Sequence, residues 1–213
     1  MSTLKAMQIL VTPFQQNCTL LWDEATMAGS VVDPGGDVER ILAAIGRVGC
    51  QVQNILITHG HLDHAGGAAA LAQALGVKVE GPHRANLPLL EAIPSQAAQY
   101  GMTGMDSVTP DRWLTEGEGV QVAGHLFEVL HCPGHAPGHV VFASRALGFA
   151  LVGDVLFRGS VGRTDLPGGD SATLLASIRD KLFPLGDAMR FLCGHGPGGT
   201  IGEERRSNPF LQG

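Results

Sequence analysis

Residues 58–64 read Thr-His-Gly-His-Leu-Asp-His, and this stretch decides both the fold and the chemistry of the chain. It places four side chains that can bind a metal within six positions, those of His59, His61, Asp63 and His64. Imidazole and carboxylate groups at this spacing suit zinc, manganese or iron. Because the cluster is too tight for one tetrahedral ion, we expect its members to be shared between two ions. The stretch therefore predicts a binuclear hydrolase.

The flanking residues place this stretch at the end of a strand. Residues 54–57 are Asn-Ile-Leu-Ile, a short apolar run typical of a buried parallel strand, and residues 65–75 predict the start of a helix. The metal-binding side chains then lie on a strand-to-helix loop at the carboxyl edge of an α/β sheet, where binding sites are normally built. The alternative is a solvated polar loop, which would need no further ligands from elsewhere in the chain.

Three later stretches do supply further ligands. Residues 133–139, Pro-Gly-His-Ala-Pro-Gly-His, form a turn with His135 between two apolar runs. Residues 151–154 end on Asp154, and residues 191–196 carry His195 after a short apolar run. Metal-binding residue types at several predicted strand ends favour one shared site over a solvated loop.

This ordered set of motifs resembles the metallo-β-lactamase superfamily, and within it the compact bacterial relatives of glyoxalase II, or hydroxyacylglutathione hydrolase. Residues 33–36, 158–165 and 194–197 add to the resemblance, reading Asp-Pro-Gly-Gly, Arg-Gly-Ser-Val-Gly-Arg-Thr-Asp and Gly-His-Gly-Pro. The resemblance implies a four-layer αβ/βα sandwich with two mixed β-sheets and flanking helices. Hydrophobic periodicity alone predicts only the α/β class.

The resemblance also implies a complete binuclear centre. A first metal is expected on His59, His61 and His135, a second on Asp63, His64 and His195, with Asp154 bridging the two. The implied cofactors are two divalent ions, zinc in the first place, with iron or manganese as alternatives. The implied reaction is attack of a metal-bridging hydroxide on a thioester, above all S-D-lactoylglutathione, to give D-lactate and glutathione. Asp63 is the expected catalytic residue, because it would orient the hydroxide as well as bind the second ion.

Other functions remain open from the sequence. A persulfide dioxygenase of the same superfamily would use one iron held by the equivalents of His59, His135 and Asp154. A lactonase and a non-catalytic metal-binding protein are further alternatives. Residues 194–197 look more like those of the hydrolases.

Two residues near the expected centre each have two interpretations. Arg163 lies in the loop where larger glyoxalase II enzymes carry a basic residue toward the glutathione carboxylate, and a guanidinium binds a carboxylate through paired hydrogen bonds. Its alternative role is an ion pair with Asp165 or Asp170. Asp33 is expected either to fix a ligating imidazole or to cap the helix that begins near Val38.

Composition restricts the partners. The chain has 213 residues, 44% of them hydrophobic, so we expect a single domain over residues 1–213 with no C-terminal helical glutathione-binding domain. A formal net charge of -6 with only 14 Lys and Arg argues against nucleic acid. No apolar stretch approaches the ~20 residues of a membrane span. We expect a cytoplasmic protein that acts on a small-molecule, glutathione-linked thioester, and the sequence leaves monomer or dimer open.

The remaining candidates are expected to be structural. Cys18, Cys50, Cys132 and Cys193 form no CxxC pair and are expected to be thiols, with Cys132 and Cys193 as alternative ligands because they lie near His135 and His195. We expect His83, His125 and His131 to lie outside the site and His139 to pack behind it. Residues 82–118 predict a packed connector, with a lid or dimer surface as the alternative.

Overall fold

Two β-sheets form the centre of the molecule, and the computed structural model describes residues 3–212. The strands of the first sheet are β1 Leu4–Val11, β2 Gln16–Asp23, β3 Ala28–Val32, β4 Gln51–Leu56 and β5 Lys78–Glu80. They lie in the order β1-β2-β3-β4-β5. Strands β1 to β3 pair antiparallel and β3 to β5 pair in parallel, so the sheet is mixed.

The second sheet comes from the later part of the chain. The strands that follow β5 are β6 Gly119–Val122, β7 His125–His131, β8 Val140–Ser144, β9 Phe149–Leu151, β10 Leu156–Phe157, β11 Ser160–Val161, β12 Arg190–Leu192 and β13 Gly199–Thr200. The sheet has the order β13-β12-β9-β8-β7-β6, while β10 and β11 form a separate ribbon. Only β9 and β12 pair in parallel within this sheet, so it is mixed as well.

Short helices cover the outer faces of both sheets. They are α1 Val38–Val48, α2 Leu62–Ala65, α3 Ala68–Leu75, α4 Leu87–Glu91, α5 Ile93–Gln99, α6 Ser171–Ser177 and α7 Ile201–Ser207. Helix α1 ends at Gly49, whose φ of 74° is a left-handed conformation that glycine adopts without strain. Helix α6 begins after Asp170, whose carboxylate accepts a hydrogen bond of 2.7 Å from the backbone N–H of Thr173.

The core shows why the chain forms four layers. Leu20 and Leu21 are neighbours on β2 and both are fully buried, but they belong to different apolar clusters. Leu20 packs in the cluster that contains Ile41 of α1, whereas Leu21 packs in the cluster that contains Phe127 and Phe142 of the second sheet. A strand that is covered on both faces reads as a continuous apolar run. The predicted αβ/βα sandwich is confirmed.

Two helical segments in the second half of the chain differ from what the sequence patterns predict. The apolar periodicity of residues 171–183 predicts one helix, and the chain is helical throughout that range, but α6 ends at Ser177 and continues as a π turn, Ile178–Leu182, and a 3₁₀ turn, Phe183–Leu185. Pro184 lies within that last turn, where it has no N–H to donate to a regular helix. Helix α7 was not expected at all, although Thr200 caps it by accepting from the Glu203 N–H at 3.3 Å.

The segment 82–118 is more regular than its composition indicates. It contains α4 and α5, and Pro88 and Pro94 lie in their first turns, where a missing N–H costs no intrahelical hydrogen bond. Leu90 and Ile93 are fully buried in the cluster under the first sheet. These contacts fit the expected packed connector.

Over residues 3–212, the structure contains no helix that is both long and apolar enough to cross a membrane.

Candidate metal centre

The loops that follow several strands meet at one edge of the sandwich. The backbone N–H of Val140 donates to the Thr58 carbonyl at 2.8 Å, which joins the first sheet to the second. The Asn17 N–H donates to the Gly194 carbonyl at 2.7 Å, which joins them again on the other side. The predicted metal-binding residues on the loops after β4, β7, β9 and β12 are thereby brought together.

The first cluster consists of His59, His61 and His135. One ring nitrogen from each lies within 4.8 Å of the others, and all three residues are buried. His61 Nδ1 and His135 Nε2 are 3.0 Å apart. Three imidazole nitrogens that converge in this way can hold one divalent ion.

The second cluster consists of Asp63, His64 and His195, which also lie within 4.8 Å of one another through one donor atom each. Asp63 Oδ2 lies 3.2 Å from His195 Nε2 and 3.8 Å from His64 Nε2. His64 is fully buried, whereas Asp63 and His195 are partly exposed. The second cluster therefore forms the side of the centre that solvent can reach.

Asp154 lies between the two clusters. Its Oδ1 is 3.4 Å from His64 Nε2, and its Oδ2 is 3.5 Å from His195 Nε2 and 3.6 Å from His135 Nε2. One carboxylate thus contacts imidazoles of both clusters, which is the placement expected of a bridging ligand.

Neighbouring hydrogen bonds set which nitrogen of each ring is free. Thr58 Oγ1 donates to Asp33 at 2.7 Å, so at 3.0 Å it accepts from His59 Nδ1. His64 Nδ1 donates to Asp33 at 3.0 Å, and His135 Nδ1 donates to the carbonyl of Arg163 at 2.7 Å. In all three rings Nε2 is then directed into the centre as a potential ligand. Such outer partners are what metal-binding histidines usually have.

Asp33 is therefore a partner of the ligand rings and does not cap α1. Its carboxylate accepts from the Thr58 N–H, the Thr58 hydroxyl and His64 Nδ1. Asp33 also lies within 4.8 Å of His59 and His64 as a possible ligand, but these hydrogen bonds already occupy its oxygens. The N-cap position of α1 belongs to Asp37.

Buried atoms without partners test whether a metal fits. Among residues 3–212, His59 Nε2, His64 Nε2 and Asp154 Oδ1 are buried and have no hydrogen-bond partner. Each unpaired buried polar atom costs about 1–3 kcal/mol. All three face the space between the clusters, where a cation would satisfy them. The nitrogen and oxygen donors suit zinc, iron or manganese, so the residues fit a divalent metal.

The protonation states of the histidine and aspartate side chains also fit a metal site. Burial, with His135 close by, lowers the pKa of His61 to about 3, and burial lowers the pKa of His59 well below its ordinary value. Both rings are then neutral, as metal binding requires. Burial would raise the pKa of Asp154, but His64 and His135 hold that pKa below its ordinary value. Burial would lower the pKa of His64, but Asp154 and Asp63 raise it, so a proton is held where a cation would bind.

Comparison with known proteins identifies the family. The model of the metallo-beta-lactamase superfamily matches residues 11–195. This chain belongs to the metallo-beta-lactamase superfamily. It is 48% identical, over 95% of its length and 96% of the relative's, to the hydroxyacylglutathione hydrolase GloC of Haemophilus influenzae. The family, this relative and the His/Asp clusters together show a metal-dependent hydrolase that binds divalent metal.

Two solved structures of the superfamily are similar over nearly the whole chain. The BLEG-1 B3 metallo-beta-lactamase has a TM-score of 0.89 and 35% identity, and the match covers 98% of this chain and 100% of that one. TTHA1623, solved in a di-iron-bound form, has a TM-score of 0.86 and 40% identity, with 96% and 100% coverage. These matches support the same fold for this chain.

Arg163 stands at the edge of the superfamily site. Its guanidinium makes two hydrogen bonds of 2.7 Å with the carboxylate of Asp165, and its side chain is 62% exposed. The ion pair with Asp165 is one of the two interpretations drawn from the sequence, whereas Asp170 caps α6. The phenol of Tyr100 is close enough to Arg163 to influence it electrostatically.

The cysteines and the other histidines lie outside the two clusters. Cys193 Sγ donates to the carbonyls of His195 and Pro197 at 3.1 and 3.4 Å, so this thiol is directed to the backbone and not to either cluster, and burial raises its pKa to about 12. Burial likewise raises the pKa of Cys132. His125 pairs with Asp23 at 3.0 Å. His83 and His131 stack on each other with ring centroids 4.3 Å apart.

Two residues that support the site were not predicted from the sequence. Asn17 donates from Nδ2 to the carbonyls of Cys193 and Gly196 at 3.0 and 2.8 Å, which fixes the loop that carries His195. The backbone of Gln16 pairs with that of His195 in an isolated antiparallel β-bridge. The Gln16 side-chain Nε2 lies 3.5 Å from His64 Nδ1. The roles of Asn17 and Gln16 depend on contacts with residues far along the chain, which no local pattern in the sequence indicates.

Proposed function

We propose that this superfamily member is a binuclear thioester hydrolase that converts S-D-lactoylglutathione, or a closely similar acyl-glutathione, to the hydroxy acid and glutathione. The observation that carries the proposal is the pair of complete clusters with Asp154 between them. The similarity to the Haemophilus influenzae hydroxyacylglutathione hydrolase, which covers 96% of that protein, supports the substrate class.

The residues would divide the work as follows. The first cluster would hold one ion and the second cluster the other. Asp154 would bind both ions. Divalent ions bound there would lower the pKa of a water molecule and polarise the thioester carbonyl. Asp63 Oδ2 is engaged with His195, and the partly exposed Asp63 carboxylate would use its other oxygen to orient the attacking water. Because Nδ1 of His59, His64 and His135 is already engaged, these rings stay fixed through the reaction.

The thiol side of the substrate would meet an exposed aromatic and basic surface. The rings of Phe14 and Tyr100 contact edge to face with centroids 5.2 Å apart, although they come from distant parts of the chain. Tyr100 lies within electrostatic range of Arg163, and the Arg163 carbonyl accepts from His135, so this surface adjoins the first cluster. An exposed ion pair contributes little to stability because water screens it. A substrate carboxylate could therefore replace Asp165 without a large loss.

The alternative with one iron and a persulfide substrate needs only His59, His135 and Asp154. The second cluster would then have no function, yet its three donor groups also lie within 4.8 Å of one another. The complete second cluster favours the hydrolase. The choice between zinc and iron belongs to the same proposal, and the di-iron form of the similar TTHA1623 supports iron as well as zinc.

The test is hydrolysis of S-D-lactoylglutathione by purified protein loaded in turn with zinc and iron, beside oxygen uptake with glutathione persulfide. We expect thioester hydrolysis that Asp63→Ala abolishes and that the matched surface variant Asp106→Ala retains. Near-normal turnover in Asp63→Ala would contradict the proposed role of Asp63. Oxygen uptake without hydrolysis would contradict the hydrolase and favour the dioxygenase.

A further inference from the structure

His139 is a fully buried histidine that belongs to neither cluster. It is the last residue of the loop that carries His135, immediately before β8. Its Nε2 accepts a hydrogen bond of 3.0 Å from the backbone N–H of Asp154. Its ring stacks on that of His59, with centroids 4.6 Å apart and planes inclined by 18°. One side chain thus contacts a member of the first cluster and the residue that lies between both clusters.

The hydrogen bond from the Asp154 backbone determines which nitrogen of the His139 ring carries a proton. A backbone N–H can only donate, so Nε2 of His139 must be the unprotonated nitrogen. The neutral ring then carries its proton on Nδ1, which is buried and has no partner within residues 3–212. An unpaired buried donor is unfavourable for folding. A phenylalanine would fill similar space without that cost, so packing alone does not account for a histidine here.

Gly153 shows how closely the backbone approaches this ring. A Cβ atom at position 153 would lie 2.6 Å from His139 Nε2 and 2.6 Å from Thr58 Oγ1. Gly153 also has a φ of +50°, which other residues rarely adopt. The backbone at 153–154 therefore rests directly on His139. The position of that ring sets where the Asp154 carboxylate stands.

We propose that His139 is a positioning residue that holds the Asp154 backbone and the His59 ring in place, so that both clusters are assembled before metal binds. This role is distinct from that of a ligand and from that of Asp33, which bonds His64 Nδ1 directly and reaches His59 Nδ1 through the Thr58 hydroxyl. The inference rests on the metal site of the proposed function and does not depend on the substrate.

The test separates the hydrogen-bond acceptor from the volume of the side chain. Glutamine and methionine have similar length and shape, but only glutamine offers an oxygen that can accept from the Asp154 N–H. The variants are His139→Gln and His139→Met, with His125→Gln as the control. His125 pairs with Asp23 away from both clusters. The readouts are zinc affinity by competition with a chromophoric chelator, the visible spectrum of the cobalt-substituted protein, and thermal unfolding of the metal-free protein.

We expect His139→Met to weaken zinc binding about 10–100-fold, as loss of an outer partner does, and to change the cobalt spectrum. His139→Gln should recover most of the affinity, and His125→Gln should match the wild type. Equal loss of affinity in the glutamine and methionine variants, or no loss in either, would overturn the role of the acceptor. If His139→Met does not fold, His139→Phe keeps the ring without the acceptor and takes its place.

Failure of the proposed function would be seen separately. A wild-type chain that binds a single zinc ion would contradict the binuclear site. The inference would still be supported if His139→Met weakened that single site and His139→Gln did not, since His139 also contacts His59 of the first cluster.

Discussion

Replacement of Asp33 by asparagine should damage the centre without removing a ligand. Asp33 is only 3% exposed, and its carboxylate accepts from the Thr58 N–H and hydroxyl at 2.7 Å and from His64 Nδ1 at 3.0 Å. Its φ of 53° is left-handed, a conformation that asparagine tolerates as aspartate does. The substitution therefore changes charge and hydrogen bonding but not backbone conformation.

The expected loss of stability can be worked out from the hydrogen-bond acceptor that the substitution removes. Asparagine has one acceptor oxygen where the carboxylate has two. If that oxygen replaces Oδ1, it keeps the Thr58 N–H, and the NH₂ group faces His64 Nδ1–H and the Thr58 hydroxyl, which share Oδ2 in the native protein. His64 then loses a hydrogen bond to a charged acceptor, which contributes about 1.5–3 kcal/mol; the reverse orientation leaves the Thr58 N–H unpaired instead. Since 1 kcal/mol shifts the melting temperature of a domain of this size by about 2–4 °C, we expect a decrease of about 3–12 °C. Zinc affinity should fall about 10–100-fold, because the His64 ring is no longer fixed.

Thermal unfolding of the metal-free protein, followed by circular dichroism, measures the decrease in melting temperature. Competition with a chelator measures the decrease in zinc affinity. Asp37→Asn is the matched control, because Asp37 has a φ of 49° and accepts the Thr12 N–H at 2.8 Å, but is exposed. We expect it to stay within about 0.5 kcal/mol of the wild type. A melting temperature and zinc affinity for Asp33→Asn equal to those of Asp37→Asn would refute the reasoning.

Three further predictions concern pH, substrate and packing. The pKa of His61 is lowered to about 3, so between its ordinary pKa of about 6.5 and that value the unfolded chain binds more protons than the folded one. The free energy of unfolding of the metal-free protein should therefore fall between pH 6.5 and pH 5, by about 2 kcal/mol from this residue. Urea unfolding of His61→Gln should show a smaller change in this free energy over the same pH range. An equal change in the variant and the wild type would contradict this prediction. Arg163→Ala should raise KM for S-D-lactoylglutathione with little change in kcat. Asp165→Ala should leave KM unchanged or lower it. An unchanged KM in Arg163→Ala would show that Arg163 only forms its ion pair with Asp165 and does not bind substrate. A Cβ at Gly194 would lie 2.1 Å from Asp154 Oδ1, so Gly194→Ala should lose bound zinc as measured by elemental analysis, and full zinc content would show that the loop can move aside.

The centre was largely predictable because its chemistry is concentrated in short stretches of sequence. Four of its side chains lie within residues 59–64, and this density has few explanations other than a metal. The other three each follow a short apolar run, which placed them at the ends of strands. The structure brings all seven together, although their assignment to individual ions stays part of the proposal.

The supporting residues were less predictable because their roles depend on contacts between distant parts of the chain. Asn17 holds the loop around residues 193–196, and His139 accepts from the backbone of Asp154. Neither spacing nor composition indicates such a partner. Helix α7 had a local signal in Thr200 and Glu203, but it is only seven residues long and follows a glycine-rich turn.

Zinc titration of the metal-free protein tests the central claim most directly. Calorimetry should show two zinc ions per wild-type chain. His135→Ala, which removes a donor from the first cluster, and His195→Ala, which removes one from the second, should each retain a single tightly bound ion. One ion in the wild type, or two in both variants, would contradict a binuclear centre built from these two clusters.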